Sequence, residues 1–468
     1  MKSTIEINLN EIEKIHMVGI GGISMSGIAV MLKNSGYLVS GSDSNNGDMV
    51  EMLRSEGIPV VIGHDLESTE KADLIIYTAA VKQTDPELIH ARSLNIPIIE
   101  RAPFIGKLLK KYQKAICISG MHGKTTTTSM IASAFMGLKK DPTVLVGSKL
   151  KELGNVNYLI GSNEYFILEA CEYVDSFLNF PPQTAVVLNI EEEHLDYFKD
   201  IAQIENSFVS FIKMLPINGN LVINHDDENC SNVLSKIHDF ILEKNISVYN
   251  YSLKDKSATL YADNLKINKL GCYSFDVYIN GVFTKHISLS TPGRHNVSNT
   301  LATIGSIISN NLNIDDAVLN IESFTGASRR FEYKKTIGED VDVYDDYAHH
   351  PTEIKATLES AKNKTKNRVI AVFQPHTYTR TKALLDDFVD AFLDADIIIV
   401  TDIYAARELD DGSVNSEMMV DKLVEKGAIA TYISSFEAIT KIILDIIEPG
   451  DIVLTIGAGT ITKLSDLL

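Results

Sequence analysis

Between Ile118 and Thr128 the chain reads ISGMHGKTTTT, a glycine loop that carries a lysine and a run of hydroxyls. Glycines let backbone amides close on phosphate oxygens, a lysine meets their charge, and the following hydroxyl suits Mg2+. The familiar nucleotide loop has four residues between its first glycine and its Gly-Lys pair. Here only Met121 and His122 separate Gly120 from Gly123. The working parts survive the shortening, with AICISG reading as a strand before the loop and TTTTSMIASAFM as a helix after it. The same residues also describe a capped helix start with an exposed lysine, and His122 alone reads as a loop histidine. A triphosphate calls for metal ligands on neighbouring strand ends. Glu169 closes YFILEA and His194 follows VVLNI in NIEEEHLDYF; each alone reads as surface, but with Thr125 they form a set of oxygen and imidazole ligands. A histidine is unusual there, because Mg2+ prefers oxygen.

A second loop, Gly19-Ile20-Gly21-Gly22, follows the strand IHMV and precedes the helical MSGIAVML. It departs from the dinucleotide fingerprint GxGxxG, whose last position is Ser24. The next strand, LVSGSD, ends in Asp43, where a ribose-binding acid would sit. These residues favour a nucleotide-diphosphate site, with a tight packing turn as the alternative.

Apolar runs alternate with helical patterns along nearly all 468 residues, as in parallel sheets covered by helices. At about 100 to 200 residues per domain the length suggests about three domains. The boundaries fall at 1–112, 113–327 and 328–468, and YSFDVYI and VFTKHISL read as a hairpin around Asn280-Gly281. With 45% hydrophobic and 22% charged residues the chain is globular, and a net charge of -19 disfavours nucleic acid and anionic lipid as partners. Cys117, Cys171, Cys230 and Cys272 lie far apart without metal spacing and read as reduced core thiols. The start lacks a secretory pattern and no run of about 18 apolar residues occurs. A cytoplasmic chain without membrane insertion is the expectation.

In order along the chain, GMHGKTT, Glu169, the NIxxxHLD segment with His194, the GRHNVSN turn and the RRF sequence resemble the motifs of the ATP-dependent Mur ligases of peptidoglycan synthesis. That resemblance implies three α/β domains: a Rossmann-like UDP-binding domain, a central P-loop ATPase-type mixed sheet and a C-terminal Rossmann-like domain. It implies ATP and Mg2+ as cofactors. It assigns Gly120, Met121, His122, Gly123, Lys124, Thr125 and Thr126 to the ATP phosphates, and Thr125, Glu169 and His194 to Mg2+. His295 and Asn296 would hold the nucleoside, with Arg330 and Asp346 closing from the last domain. On the residues alone, Asn296 also reads as a helix cap and Arg329-Arg330 as a solvated linker. The amino-acid site falls near Tyr347, His349, His350 and Arg380, and the UDP-sugar site near Gly21, Gly22, Ser24, Asp43, Thr78-Ala79-Ala80 and Arg101. Lys124, Glu169, His194, His349 and Arg380 are the expected catalytic set.

HMVGIGGISMSGIA (16–29), DDYAHHPTE (345–353) and FQPHTYTRT (373–381) look most like the branch that adds L-alanine to the lactyl carboxylate of UDP-N-acetylmuramate through an acyl phosphate. Those two molecules are the expected substrates, with the chain a monomer or homodimer. The branch that recycles a murein tripeptide onto the same sugar nucleotide shares nearly every motif and is the alternative. A folylpolyglutamate synthetase lacks the first domain, and a nucleotide-sugar sensor has no need of the intact ligand set. Three departures stand out. Thr377 occupies a position where a second arginine is expected, and the Thr78-Ala79-Ala80 turn lacks serines. The lysine that some branches carbamylate is absent, its place being Phe208.

Overall fold

The computed structural model describes residues 8–150, 153–194, 197–406 and 408–468. These residues build three sheets, of five, ten and six strands. The first is wholly parallel, in the order Val60–Ile62, Leu38–Asp43, Lys14–Val18, Leu74–Tyr77, Ile98–Glu100. Its buried apolar positions are near-continuous runs, as a sheet covered on both faces requires.

The central sheet has a parallel middle: Ser247–Ser252, Asn220–Asn224, Thr184–Val187, Lys114–Ser119, Tyr165–Glu169 and Thr143–Leu150. One edge runs through Leu260–Ile267 into the antiparallel pair Cys272–Ile279 and Val282–Pro292. The expected hairpin is there, with Asn280 at φ 50° and Gly281 at φ 76°, the two left-handed residues that a tight two-residue turn demands. At the other edge Val156–Leu159 adds antiparallel to Thr143–Leu150.

The third sheet runs Glu332–Ile337, Val341–Asp346, Ile452–Ile456, Val369–Phe373, Ile397–Val400, Ala430–Tyr432, and only its first pair is antiparallel. Glu332–Ile337 is an edge strand whose charged pattern EYKKTI lacks the apolar run that marks the others.

Two of these units share a core. Helix Ile23–Asn34 packs its buried face, Met25 to Leu32, toward strands Thr143–Leu150 and Val156–Leu159, and Asn157 Nδ2 donates to the carbonyl of Ile23 at 2.7 Å. Phe208, where a lysine is sought in other branches, is fully buried and meets Phe177 edge-on with ring centroids 5.2 Å apart. No ammonium could replace it there without loss of that packing. Helix Arg101–Leu109 lies against the turn Tyr173–Asn179 so closely that a Cβ at Gly106 would stand 2.1 Å from the carbonyl oxygen of Asn179. Gly106→Ala should therefore cost about 1–3 kcal/mol of stability. A calorimetric midpoint equal to that of the unsubstituted chain would refute this packing.

Candidate active site

The carboxyl ends of the central strands carry the loops of the site, where ligands of open α/β sheets bind. Gly120 (φ 140°) and Gly123 (φ 82°) adopt conformations that only glycine holds without strain, and helix Lys124–Gly137 starts immediately after them. The loop turns back on itself through Asn189, which accepts from the amide of His122 at 2.8 Å and donates to its carbonyl at 3.0 Å. Gly120 lines neither of the two cavities beside the loop, and its carbonyl accepts from Lys124. Met121, Gly123, Lys124 and Thr125 line one cavity, His122, Gly123 and Thr126 another.

Lys124 is anchored by a residue that the sequence reading did not single out. Its Nζ lies 3.1 and 3.0 Å from the two oxygens of Glu172, whose side chain is fully buried. Burial opposes the ammonium charge, but Glu172, with Cys171, Glu193 and Glu169, raises its pKa well above the ordinary lysine value. Thr125 Oγ1 donates to Glu169 at 3.0 Å, and the amide of Gly147 donates to the same carboxylate at 2.7 Å. Of the three expected metal ligands, Thr125 and Glu169 are thus in contact. His194 lines the same cavity, but its Nε2 lies 3.3 Å from Glu172. Cys171, expected in the core, is exposed in this cavity, because it follows the strand end in the loop beyond Glu169; Cys117, Cys230 and Cys272 are buried.

The third sheet turns its own strand ends toward this loop. Tyr347, His349 and His350 follow Val341–Asp346, and Arg380 stands on the short helix Tyr378–Ala383 beyond Val369–Phe373. Arg380 Nη2 donates to Glu193 Oε1 at 3.1 Å, and Thr352 Oγ1 donates to Glu191 at 2.8 Å. His349 sits between Glu353 (3.3 Å) and Glu193 (3.7 Å). Burial works against the charge of Glu193, yet His122, His194, His349 and Arg380 together hold its pKa down to about 2. His122 packs on His350, with ring centroids 4.8 Å apart.

Arg329 and Arg330 are not a solvated linker. Arg329 anchors the third domain to itself through Asp345 (3.0 Å) and the carbonyl of Gly457 (2.6 Å), while Arg330 reaches Glu353 at 3.4 Å and lines both cavities. Asp346 accepts from the amides of Phe331 and Ala348, each at 2.7 Å; its burial, offset in part by Arg330, pushes its carboxyl up to about 6. His295 and Asn296 line the cavity on the far side of Gly123. Asn296 is no helix cap, since its Nδ2 donates to the carbonyl of Pro292 at 2.6 Å. Burial, reinforced by Arg330, drops the His295 imidazole to about 4 and keeps it neutral.

Four non-glycine residues here hold positive φ: His194 (56°), Arg329 (58°), Phe331 (47°) and Thr377 (66°). Such backbone costs on the order of 1–3 kcal/mol per residue and survives where the surroundings over-determine it. Thr377, which replaces the expected arginine, is held by its amide on the carbonyl of Tyr404 at 2.9 Å.

In the first domain Gly21, Gly22, Asp43 and Thr78 line a separate cavity, and Asp43 accepts from the amide of Gly21 at 2.8 Å. Ala80 lines it as well, whereas Ser24, Ala79 and Arg101 do not. Arg101 begins the last helix of that domain. Burial lowers its pKa, countered by Cys171 and Glu100, and it makes no ion pair among the described residues.

His122 supplies a pH signature. Burial disfavours its charge, but Glu191 at 3.5 Å and Glu353 at 3.3 Å outweigh that and raise its pKa to about 10. An unfolded histidine releases its proton near about 6.5. The folded chain binds the extra proton between those values, so the stabilisation is complete below about pH 6.5 and is lost as pH rises through about 10. His122→Gln should flatten this fall. Thermal midpoints of the two chains that run parallel from about pH 6 to about pH 10 would contradict the pairing.

The site's likenesses extend over the chain. Residues 14–113 match the model described as Mur ligase family, catalytic domain; 118–307 match Mur ligase middle domain; 329–459 match Mur ligase, glutamate ligase domain. The chain is 45% identical over 458 residues to the UDP-N-acetylmuramate--L-alanine ligase of Acetivibrio thermocellus, covering 98% of this chain and 96% of that protein. It is 46% identical over 462 residues to the enzyme of the same name from Caldanaerobacter subterraneus subsp. tengcongensis, covering 99% and 98%. Among solved structures, the UDP-N-acetylmuramate-alanine ligase of Thermotoga maritima superposes with a TM-score of 0.82 at 28% identity, covering 97% of each chain.

Proposed function

The chain belongs to the Mur ligase family, and on that premise we propose that it joins L-alanine to the lactyl carboxylate of UDP-N-acetylmuramate at the expense of ATP, the first peptide-adding step toward peptidoglycan. The observation that carries the reading is convergence: Glu193 lines one cavity with Lys124 and Thr125 of the short phosphate loop, and Arg380 and His349 of the third domain both reach it. Identity of 45% over 98% of the chain to an enzyme of that name supports the choice of substrates.

A carboxylate repels an amine and has no adequate leaving group. Attack of the carboxylate on the γ-phosphate of ATP expels ADP and gives an acyl phosphate. The alanine ammonium loses a proton to water, the amine attacks the carbonyl carbon, and phosphate departs with the carbonyl–oxygen electron pair as the nitrogen sheds a second proton. The chain contributes position and charge. Amides of the Gly120–Thr126 loop cradle the phosphates, and Lys124 exchanges Glu172 for phosphate oxygens. His295 and Asn296 border the nucleoside end, His295 staying neutral, and Arg330 and Asp346 close from the third domain. Thr125 and Glu169 suit Mg2+, being a hydroxyl and a carboxylate 3.0 Å apart at the start of the loop helix. When bound, Mg2+ offsets phosphate charge; His194 would join as a ligand only by leaving Glu172. Gly21, Gly22, Asp43 and Thr78 hold the UDP moiety. Arg101, half-buried without an ion pair among the described residues, awaits an anionic group of the sugar nucleotide. Arg380 takes the alanine carboxylate, with Tyr347 and His349 beside it.

No helix among the described residues is long and apolar enough to cross a membrane.

The test is phosphate release from ATP in the presence of UDP-N-acetylmuramate and L-alanine, glycine, L-serine or the murein tripeptide in turn. L-Alanine should drive it best; release with the tripeptide alone would transfer the chain to the recycling branch. Lys124→Ala should lower kcat by at least about 100-fold, as removal of a transition-state cation does. Full turnover in that variant would overturn the phosphate-loop assignment.

A further inference from the structure

Glu193 and Arg380 face each other across the boundary between the central and third domains, 187 residues apart in the chain. Their side chains are 5% and 15% exposed, and the guanidinium nitrogen lies 3.1 Å from the carboxylate. Nη1 of the same guanidinium is 3.2 Å from His376 Nδ1, and His349 Nε2 is 3.7 Å from the same Glu193 oxygen. Glu193 and His349 line the cavity that Lys124 and Thr125 also line.

A desolvated ion pair is a poor device for holding two domains together, since apolar side chains of similar volume do so without stripping water from two charges. Its halves do match the ends of a free amino acid: guanidinium for carboxylate, carboxylate for ammonium. We propose that Glu193 is the ammonium-binding residue of the amino-acid subsite, and that an entering zwitterion divides the Arg380–Glu193 pair and satisfies both halves. The inference rests on the reading of Arg380 as the group that takes the amino acid's carboxylate. Because a net-neutral guest replaces an internal contact, its binding adds no net charge to the buried cluster. A guest with a carboxylate and no ammonium would occupy Arg380 and take from Glu193 its 3.1 Å hydrogen-bond partner, leaving it only the surrounding imidazoles, of which His349 lies 3.7 Å away. The pair thereby selects for an α-ammonium, whose nitrogen attacks once it has passed a proton to water, and holds it in the cavity that the phosphate loop also lines. With Thr377 in place of a second arginine, a single guanidinium and a single carboxylate make a one-to-one complement to one zwitterion.

The experiment measures KM for L-alanine, ATP and UDP-N-acetylmuramate in the unsubstituted enzyme and in the Arg380→Ala, Glu193→Gln and Glu193→Asp variants. It also measures competition by L-lactate, which replaces the ammonium with a hydroxyl. Glu193→Gln should raise the KM for L-alanine on the order of 100-fold, as loss of one member of a buried charge pair does, with those for ATP and the sugar nucleotide nearly unchanged. Glu193→Asp should recover part of the loss. L-Lactate should inhibit the unsubstituted enzyme only at concentrations on the order of 100-fold above the KM for alanine. Should Arg380→Ala raise the alanine KM while Glu193→Gln leaves it alone, the role of Glu193 falls and that of Arg380 stands. An unchanged alanine KM in Arg380→Ala would remove the subsite itself, and Glu193 with it. If Glu193→Gln does not fold, the L-lactate measurement decides on the unsubstituted enzyme, and competition equal to alanine overturns the proposal.

Discussion

Lys124 sits at the head of a helix with only 13% of its side chain exposed, and a cation in that position must have a counter-charge at all times. Glu172 is that counter-charge, itself fully buried, and any group that takes its place on Lys124 must bring negative charge of its own. The loop carrying Glu172 departs from the end of strand Tyr165–Glu169, immediately beside the strand that feeds the phosphate loop. Parallel neighbours of this kind bring their carboxyl ends to one edge. A carboxylate from one strand therefore reaches the lysine of the next without a long excursion.

The two domain boundaries are built from different forces. Between the first and central domains the contact is largely apolar, with Met25, Ile28, Leu32 and Leu145 sharing one core, and such burial is neither directional nor easily exchanged. Between the central and third domains it is made of charges and imidazoles: Glu191, Glu193, Thr352, Glu353, His122, His349 and Arg380. Polar partners can be traded for substrate groups of the same sign, which apolar surface cannot do. That difference suits a ligase in which the third domain contributes to a reaction centred on the second.

Much of this was legible in advance. The strand-then-loop units, the phosphate loop and the hairpin at Asn280-Gly281 all rest on local patterns of apolar residues and glycine; the grouping of Thr125 with Glu169, 44 residues apart, came from the ligands that a triphosphate site needs. The carboxylates that organise the site were not. In NIEEEHLD three glutamates stand in a row with nothing local to rank them, yet Glu192 is exposed, Glu191 half-buried and Glu193 buried. Only the course of that loop, with His194 in a left-handed conformation, separates the three. Glu172 was hidden in the same way. It lies three residues beyond Glu169, in a turn with no regular pattern to say which side chain points inward. The edge strands Glu332–Ile337 and Val156–Leu159 also escape periodicity, because an edge needs no continuous apolar run.

By itself the sequence determined the alternation of strand and helix, the two glycine loops and the family whose motifs lie in order along the chain, since each depends on residues within a short span. Tertiary structure alone decided the pairing of charges. Lys124 finds Glu172 48 residues away, and Arg380 finds Glu193 across 187 residues and a domain boundary. Those partners are chosen by which strand ends face each other and by the cost of leaving any one of the charges buried alone. Neither quantity is carried by local spacing.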